Sequence, residues 1–295
     1  MYTVLSTYMS TFFHRHVLIV CKTSHKRAAL LGNEVANWLQ SLDYRVTVIS
    51  AMEDIVSCLT SDTLLTVVLG GDGTILGVTR CLIGRRIPVF GINFGRVGYL
   101  TASQPDAWRE SLTSYFNKQL PTYTCMALHW SLKRRGDVIT SGYAVNDVVV
   151  SRGSLSRLLT LDVSIDDNDL GCLRSDGIIV SSSVGTSGYN VSAGGPIVPP
   201  TMEILAITPI CAFQRMATPM IFPGSTICKI TFSQVSTDCY MTVDGQEGQM
   251  LESGDDVILT GEPAAMHFVC RPNGFFNHLH SQCFSCGSAP CKMGE

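Results

Sequence analysis

The spacing of apolar residues changes near residue 120, and each half of the chain predicts a different architecture. Uninterrupted apolar runs at residues 17–21 and 64–69 predict strands that are buried on both faces. Between them, apolar residues return every three or four positions from residue 28 to 42, which predicts an amphipathic helix. The same pattern adds strands at 45–49 and 87–92 and a helix at 108–116. Alternating strands and helices predict an α/β domain with an open, mainly parallel sheet.

After residue 120, short β-type runs follow one another and are separated by turn residues. The runs lie at residues 145–150, 158–165, 177–182, 227–232, 240–243 and 257–259. Turn residues stand at 166–169, 199–200, 223–224 and 244–245. Short β-type runs separated by turn residues predict a second, mainly-β domain. We therefore expect an α/β domain at 17–119, a mainly-β domain at 120–269, and a return of the chain to the first domain at 270–282.

The two ends of the chain differ from its body. Residues 1–16 lack the apolar core and the small-residue cleavage site of a secretory signal, and we expect a flexible extension, with organelle targeting left open. Residues 283–295 predict a Cys-rich tail. Its possible zinc ligands are Cys283, Cys286 and Cys291, with His278 and His280 upstream. Because a second Cys-x-x-Cys pair is missing, we favour a mobile, oxidisable tail over a metal site.

Composition narrows the class of partner. The 295 residues are 45% hydrophobic and carry a net charge of −3, which favours neither nucleic acid nor an anionic membrane as a partner. Mean hydropathy is +0.23, but no apolar run approaches the roughly 18 residues of a membrane span. The 12 cysteines are dispersed, which favours reduced core thiols in the cytoplasm. Those inside apolar runs are Cys21, Cys58, Cys211, Cys228 and Cys270.

A glycine-rich segment follows the strand at residues 64–69 and carries the strongest chemical signal. Gly70, Gly71 and Gly73 allow the backbone to approach a phosphate closely, at the sheet edge where α/β proteins bind ligands. Thr74 would cap the following helix, whose N-terminus attracts anions. Asp72 would accept a proton or help to hold a metal ion near a transferring phosphate. A tight turn with Asp72 as a helix cap is the alternative, since short glycine motifs are common.

The Gly-Gly-Asp-Gly-Thr segment resembles the signature of a superfamily that includes NAD kinases, lipid kinases and phosphofructokinases. Four further segments are similar to NAD kinase motifs and stand in that family's order. They are residues 91–100, 144–149, 174–196 and 243–246. The resemblance implies transfer of the γ-phosphate of ATP to the adenosine-ribose 2′-hydroxyl of NAD. It also implies Mg²⁺ or another divalent cation with the ATP, and a homodimer or homotetramer.

The resemblance also implies roles for particular residues. Asp72 would be the general base, and Gly73 would contact the dinucleotide. Asn146 and Asp147 would hydrogen-bond adenosine and ribose, and Asp176 would meet the nicotinamide amide or the adenine. The adenine pocket would be lined by Ser187, Gly188, Tyr189, Asn190 and Ser192. Further candidates for substrate contacts are Arg157, Arg174, Tyr99 and Gln246.

The chemistry is coherent with these roles. A carboxylate within hydrogen-bond reach can take the proton of a ribose hydroxyl as the bond to phosphorus forms. We expect Asp147 to lie near Asp72 or the ribose, since two close carboxylates raise the pKa of one of them. Two other functions stay open at this point. One is a lipid kinase that shares the glycine-rich segment, and the other is an NAD-binding sensor with little activity.

The chain departs from the family pattern in two places. The proline of the family's Ser-Thr-Pro stretch is absent, since residues 181–183 are all serine, and Ser187-Gly188 replaces the usual Thr-Ala, so we expect a more flexible loop. Phe213 and Thr218 stand where many relatives have histidine and arginine. These changes put phosphate or inter-subunit contacts in question more than the class of substrate.

Overall fold

The computed structural model describes residues 15–280, apart from residues 23, 96–97, 154–156, 214–216, 234–237 and 271–273. The predictions for residues 1–14 and for the cysteine tail lie outside this described part of the chain. The first strand begins at His16, one residue before the predicted run, and His16 is buried. The side chain of His16 is held by Thr63 and Thr47 at 2.7 and 3.0 Å.

The first half forms the α/β arrangement that the apolar pattern predicts. Its elements are β1 (His16–Cys21), α1 (Lys26–Gln40), β2 (Arg45–Ser50), β3 (Thr63–Gly70), α2 (Asp72–Leu82), β4 (Val89–Asn93) and α3 (Trp108–Phe116). The strands stand in the order β2-β1-β3-β4, and every neighbouring pair is parallel. The carboxyl ends of β3 and β4 therefore lie side by side, and the loops that follow them are neighbours.

The second half is built mainly from strands. Its elements are β5 (Thr122–Arg134), β6 (Asp137–Ala144), β7 (Asp147–Arg152), β8 (Leu159–Ile165), β9 (Asn168–Ser175), β10 (Gly177–Ser181), α4 (Tyr189–Ser192), β11 (Ile204–Ile210), β12 (Met220–Pro223), β13 (Cys228–Phe232), β14 (Cys239–Val243), β15 (Glu247–Leu251), β16 (Asp255–Val269) and α5 (Gly274–Leu279). Six of these strands form an antiparallel sheet in the order β12-β11-β10-β7-β14-β15. The predicted fold class is confirmed.

Strand β16 joins the two halves in one hydrogen-bonded sheet. It runs antiparallel to β5 from Asp255 to Val269 and pairs in parallel with β4 at Phe268 and Val89. The larger sheet has the order β2-β1-β3-β4-β16-β13-β8-β9, with β5 and β6 branching from β16. The sheet therefore continues past residue 120, and the domain boundaries remain a prediction.

A hydrophobic cluster at the junction holds the two halves together. It contains Ile75 and Leu76 from α2, Val145 and Val184 from the second half, and Phe268 from β16. Full burial of each large aliphatic or aromatic side chain stabilises a fold by roughly 1.5–3 kcal/mol. The shared cluster thus fixes α2 against the segments at residues 145 and 184, where the candidate site lies.

The buried cysteines of the described residues, Cys21, Cys125, Cys228 and Cys239, are free thiols. Burial raises the pKa of Cys125, Cys228 and Cys270 to about 12, as expected of core thiols. Cys211 is exposed, so the expectation that it is a core thiol is wrong. None of the helices in the described part of the chain has the length and apolar character needed to span a lipid bilayer.

Candidate active site

The glycine-rich loop turns the chain directly from β3 into α2. Gly71 occupies the cap position with an extended backbone, and Asp72 is the first residue of the helix. The expectation that Thr74 caps α2 is wrong, because Thr74 lies within the first turn and no side chain bonds at the cap. Instead Thr74 packs against Gly70, where a Cβ would lie 2.7 Å from the threonine Oγ1. A glycine is therefore required at the end of β3.

Three backbone N–H groups hold the carboxylate of Asp72. Gly98 and Tyr99 donate to Oδ2 at 3.2 Å each, and Leu100 donates to Oδ1 at 3.0 Å. The carboxylate also lies at the N-terminus of α2, where the helix dipole favours negative charge. These contacts fix the orientation of Asp72 and leave one lone pair, on Oδ1, for another partner.

The loop after β4 packs closely on the glycine-rich loop. A Cβ on Gly95 would lie 2.9 Å from the Cα of Gly71, and the Phe94 N–H donates to the Gly70 carbonyl at 2.8 Å. Asn93 supports this approach by accepting the Gly95 N–H at 2.8 Å. Residues 70–74 and the loop after β4 are therefore neighbours in the structure.

The Asn146–Asp147 segment enters the site from the second half, at the start of β7. Its backbone is held by the carboxylate of Asp244, which accepts the N–H groups of Val145, Asn146 and Asp147 at 3.0, 2.7 and 3.3 Å. Asp244 stands in the predicted turn between β14 and β15, and its side chain is fully enclosed. Asp244, predicted only as a turn residue, thus holds the backbone of the Asn146–Asp147 segment in place.

Asp147 is buried, and its ionisation is perturbed. Burial and, second, the negative charge of Asp244 raise the pKa of Asp147 from 3.8 to about 7. The carboxylate whose charge raises the pKa of Asp147 is therefore that of Asp244. The expected position of Asp147 beside Asp72 or the ribose stays a prediction.

The loop at residues 181–189 packs against the Asn146–Asp147 segment. Ser182 donates its Oγ–H to the Val145 carbonyl at 2.6 Å and its N–H to the Asn146 carbonyl at 2.8 Å. A Cβ on Gly185 would overlap the Asn146 carbonyl, so this contact requires glycine. Two motifs that are separate in the sequence, at residues 145–147 and 181–189, are thus in direct contact in the fold.

The residues predicted to line the adenine pocket differ in accessibility. Ser187 and Gly188 are half-buried, whereas Tyr189 is 48% exposed and Ser192 is exposed. Gly188 lies beside Asn146, since a Cβ there would be 3.5 Å from Nδ2 of Asn146. These four residues lie at or near the surface of the loop and are accessible to a ligand.

Asn190 is a correction to the predicted set. Its side chain is completely buried. Its Oδ1 accepts from Thr208 at 2.6 Å, and its Nδ2 donates to the carbonyls of Thr186 and Pro196 at 3.3 and 2.9 Å. Both halves of the amide are bonded within the protein, so Asn190 supports the loop rather than facing a ligand.

Asp176 and the predicted arginines lie around the start of β10. Arg152, which the sequence did not indicate, donates from Nε to Oδ1 of Asp176 at 2.6 Å. Arg174 is exposed on β9, and its guanidinium lies 5.3 Å from the ring centroid of Phe213. Arg157 is exposed just before β8. The departure at Phe213 therefore supplies an aromatic face for Arg174.

One cavity adjoins the glycine-rich loop, and a second adjoins the 98–100 segment that holds Asp72. One of about 630 Å³ is lined by Gly71, Gly73 and Thr74 together with Lys22, Arg80 and Gln246. The other, of about 460 Å³, is mostly apolar, and its lining includes Gly98, Tyr99, Leu100, Val184, Phe268 and Phe275. Gln246 is positioned by a hydrogen bond from its Nε2 to the Gly73 carbonyl at 2.7 Å. The 98–100 segment, which holds the Asp72 carboxylate, thus borders the apolar cavity. The glycine-rich loop, which contains Asp72, borders the larger cavity.

Similarity to solved structures supports this description of the fold. The crystal structure of yeast NADH kinase complexed with NADH matches with a TM-score of 0.84 at 22% identity, covering 95% of this chain and 90% of that one. The structure of an NAD kinase from Archaeoglobus fulgidus in complex with ATP matches with a TM-score of 0.73 at 24% identity, covering 89% and 96%. At these identities the likeness shows the fold. On this fold, the glycine-rich loop carries a carboxylate that three backbone N–H groups hold in place.

Sequence relatives specify the family. The family model for the ATP-NAD kinase N-terminal domain matches residues 53–120, and that for the C-terminal domain matches residues 145–270. The NAD kinase of Nitratidesulfovibrio vulgaris (strain Miyazaki F) is 39% identical over 257 residues, covering 86% of this chain and 91% of the relative. That of Lawsonia intracellularis is 36% identical over 271 residues, covering 91% and 95%. The chain belongs to the ATP-NAD kinase family, which confirms the resemblance seen in its motifs.

Proposed function

We propose that the protein transfers the γ-phosphate of ATP to the adenosine-ribose 2′-hydroxyl of NAD and so forms NADP. The observation that carries this proposal is the position of Asp72. Its carboxylate is fixed by three backbone N–H groups at the meeting point of the glycine-rich loop and the 98–100 segment. Family membership supplies the identity of the two substrates.

Asp72 is the general base in this proposal. A carboxylate that accepts the 2′-hydroxyl proton contributes typically about 10²–10⁴-fold to the rate. Because both oxygens are oriented by backbone donors, no side-chain rearrangement has to precede the proton transfer. Positioning of the hydroxyl against the γ-phosphate supplies a further share of the rate.

The two cavities suit the two substrates. The cavity beside the glycine-rich loop is lined by Lys22, whose cationic side chain suits the phosphates of a nucleotide. The mostly apolar cavity beside Tyr99 and Val184 offers surface for the acceptor dinucleotide. Asn146, Asp147, Asp176, Ser187, Gly188, Tyr189, Ser192, Arg157, Arg174 and Gly73 remain the proposed contacts with NAD.

The divalent cation is proposed as part of the donor, carried by the phosphates of ATP. Within the described residues, no three His, Cys, Asp or Glu side chains cluster in a way that could hold a metal ion. Magnesium bound with a nucleotide needs only one or two protein carboxylates, since phosphates and water supply its other ligands.

The direct test is an assay of purified protein with Mg-ATP and NAD, with the product separated by chromatography and its phosphate located by ³¹P NMR. We expect NADP phosphorylated at the 2′ position. A parallel reaction offers diacylglycerol in detergent micelles as the acceptor. Turnover of the lipid without NADP would establish a lipid kinase instead, and calorimetric binding of NAD without NADP would establish a sensor.

Compartment and assembly belong to the same proposal. A reducing compartment such as the cytoplasm fits the free thiols of the described residues. A homodimer or homotetramer is the expected assembly. Sedimentation velocity at assay concentrations measures this assembly, and a monomer that retains full activity would contradict it.

A further inference from the structure

The turn between β14 and β15 has a shape that aims one carboxylate into the protein. Asp244 and Gly245 both adopt positive φ, at 51° and 61°, which is the geometry of the tight hairpin turn that Asp-Gly favours. The turn is followed by Gln246 and by Glu247, the first residue of β15. We call residues 244–247 the clamp.

The clamp bonds the second half of the site through Asp244. Its carboxylate accepts the backbone N–H groups of Val145, Asn146 and Asp147, while its own N–H donates to the Asp147 carbonyl at 2.9 Å. The side chain has no exposed surface. It therefore cannot touch a substrate, and it acts on the segment through the backbone.

The clamp also bonds helix α2 at both ends. Gln246 donates to the Gly73 carbonyl at 2.7 Å, in the first turn of the helix. Arg80, near the other end, donates to Asp244 at 3.3 Å and to Glu247 at 2.6 Å. These attachments are about 10 Å apart along the axis at 1.5 Å per residue. Two attachments at this spacing fix the direction of the helix as well as its position.

We propose that the clamp is a positioning element of the phosphoryl transfer, setting Asp72 at the head of α2 at a fixed place relative to Asn146 and Asp147. The inference rests on the proposed function, since it assumes that both segments meet the same substrate. A displacement of about 1 Å in such a site is enough to lower a rate roughly 10²-fold. Asp244, Arg80 and Gln246 are positioning residues in this account.

A second cluster in the same protein provides a matched control. Arg134 donates to the enclosed Asp255 at 2.8 Å and to the exposed Glu252 at 2.6 Å. Like Arg80, it therefore joins one buried and one exposed carboxylate. This cluster ties β5 to the start of β16 and makes none of the contacts with α2. Loss of Arg134 tests what loss of such a cluster does to the fold alone.

The experiment compares Arg80→Gln, Asp244→Asn, their double variant and Arg134→Gln in the full chain. Each is measured for thermal unfolding and for kcat and KM with NAD and Mg-ATP. We expect Arg80→Gln and Asp244→Asn each to lower kcat about 10–100-fold with KM changed less than about 3-fold, because misplacement acts on the transition state. The double variant should lose no more than the stronger single variant. Arg134→Gln should keep kcat within about 2-fold of the wild type, even where its Tm falls as far as that of Arg80→Gln.

Several results would overturn the clamp. One is a kcat for Arg80→Gln within about 2-fold of the wild type, and another is an equal loss of kcat in Arg134→Gln. A rise of KM for ATP alone would show that Arg80 binds the donor, as would losses that add in the double variant. If Asp244→Asn does not fold, Gln246→Ala replaces it. Failure of the wild type to form NADP would refute the proposed function instead, before any variant is compared.

Discussion

The two carboxylates that the sequence placed in one site stand in opposite surroundings. Asp72 begins a helix and receives three backbone N–H donors. Asp147 is buried at the start of β7, and burial together with the charge of Asp244 raises its pKa to about 7. One carboxylate is thus surrounded by donors, and the other is enclosed beside a second negative charge.

This difference separates two tasks that residue type alone does not distinguish. A proton acceptor needs lone pairs held in a fixed direction, and the donors around Asp72 provide that. A group with a pKa near 7 holds its proton over part of the physiological range and can donate a hydrogen bond while it does. We therefore expect Asp72 to take the proton and Asp147 to bind a ligand hydroxyl in a pH-dependent way.

Removal of the Asp72 carboxylate should have the largest effect. Asp72→Asn keeps the size of the side chain but removes the base, so kcat should fall about 10²–10⁴-fold while the Kd for NAD stays within about 5-fold. NADP formation measures the first quantity and calorimetry the second. Asp106→Asn, at an exposed position, is the matched control and should behave as the wild type. Near-normal turnover in Asp72→Asn would refute the assignment of the base.

Asp147 should leave a signature in the pH dependence of stability. Because its folded pKa lies above its ordinary 3.8, its contribution to stability is fully present below about pH 4. That contribution is lost as the pH rises through about 7. At about 1.4 kcal/mol per pH unit, the loss is roughly 4 kcal/mol at most. Asp147→Asn has no proton to lose, so its stability should decline less between pH 5 and pH 8.

Urea unfolding of both proteins at pH 5, 6, 7 and 8 measures this difference. The free energy of unfolding of Asp147→Asn should increase relative to that of the wild type with each rise in pH. Asp106→Asn serves again as the control, with a curve parallel to that of the wild type. Parallel curves for Asp147→Asn as well would show that Asp147 ionises normally in the fold.

A smaller effect is expected where the 181–189 loop meets Asn146. In Gly185→Ala the added methyl overlaps the Asn146 carbonyl, so loop and segment must separate. We expect about 1–3 kcal/mol of destabilisation and a higher KM for NAD. Gly248→Ala is the control, since its Cβ would meet only ordinary contacts at 3.7 Å or more. An unchanged KM for NAD in Gly185→Ala would show that the 181–189 loop is not part of the NAD-binding site.

Elements with strong periodicity could be predicted from the sequence. The helix at Trp108–Phe116 has the predicted bounds, and β1 and β3 differ from the predicted runs by one residue at their ends. The hairpin of β5 and β6 was missed because its strands mix buried and exposed positions. Its turn residues Arg135 and Gly136 both adopt positive φ, and an Arg-Gly dipeptide alone does not predict such a turn.

The site was predictable to the extent that its motifs are local. Asp72, Asn146 and Ser187 could be named from short segments, and the structure brings the loops of Asn146 and Ser187 into contact. The partners that hold these segments could not be named, because Arg80 and Asp244 are 164 residues apart and Asp244 is 97 residues from Asp147. No spacing rule covers such distances. The burial of Asn190, which lies in α4, could not be predicted for the same reason, since its partner Thr208 lies on β11, 18 residues away.

Strand β16 also has a consequence for how the chain is made. It is the neighbour of β4 in the larger sheet, yet it ends at Val269, close to the end of the described chain. During synthesis the edge of β4 stays open until residue 268 has left the ribosome. An open edge of a parallel sheet is a site of aggregation. Truncation before β16 should therefore yield insoluble protein rather than a free-standing first domain.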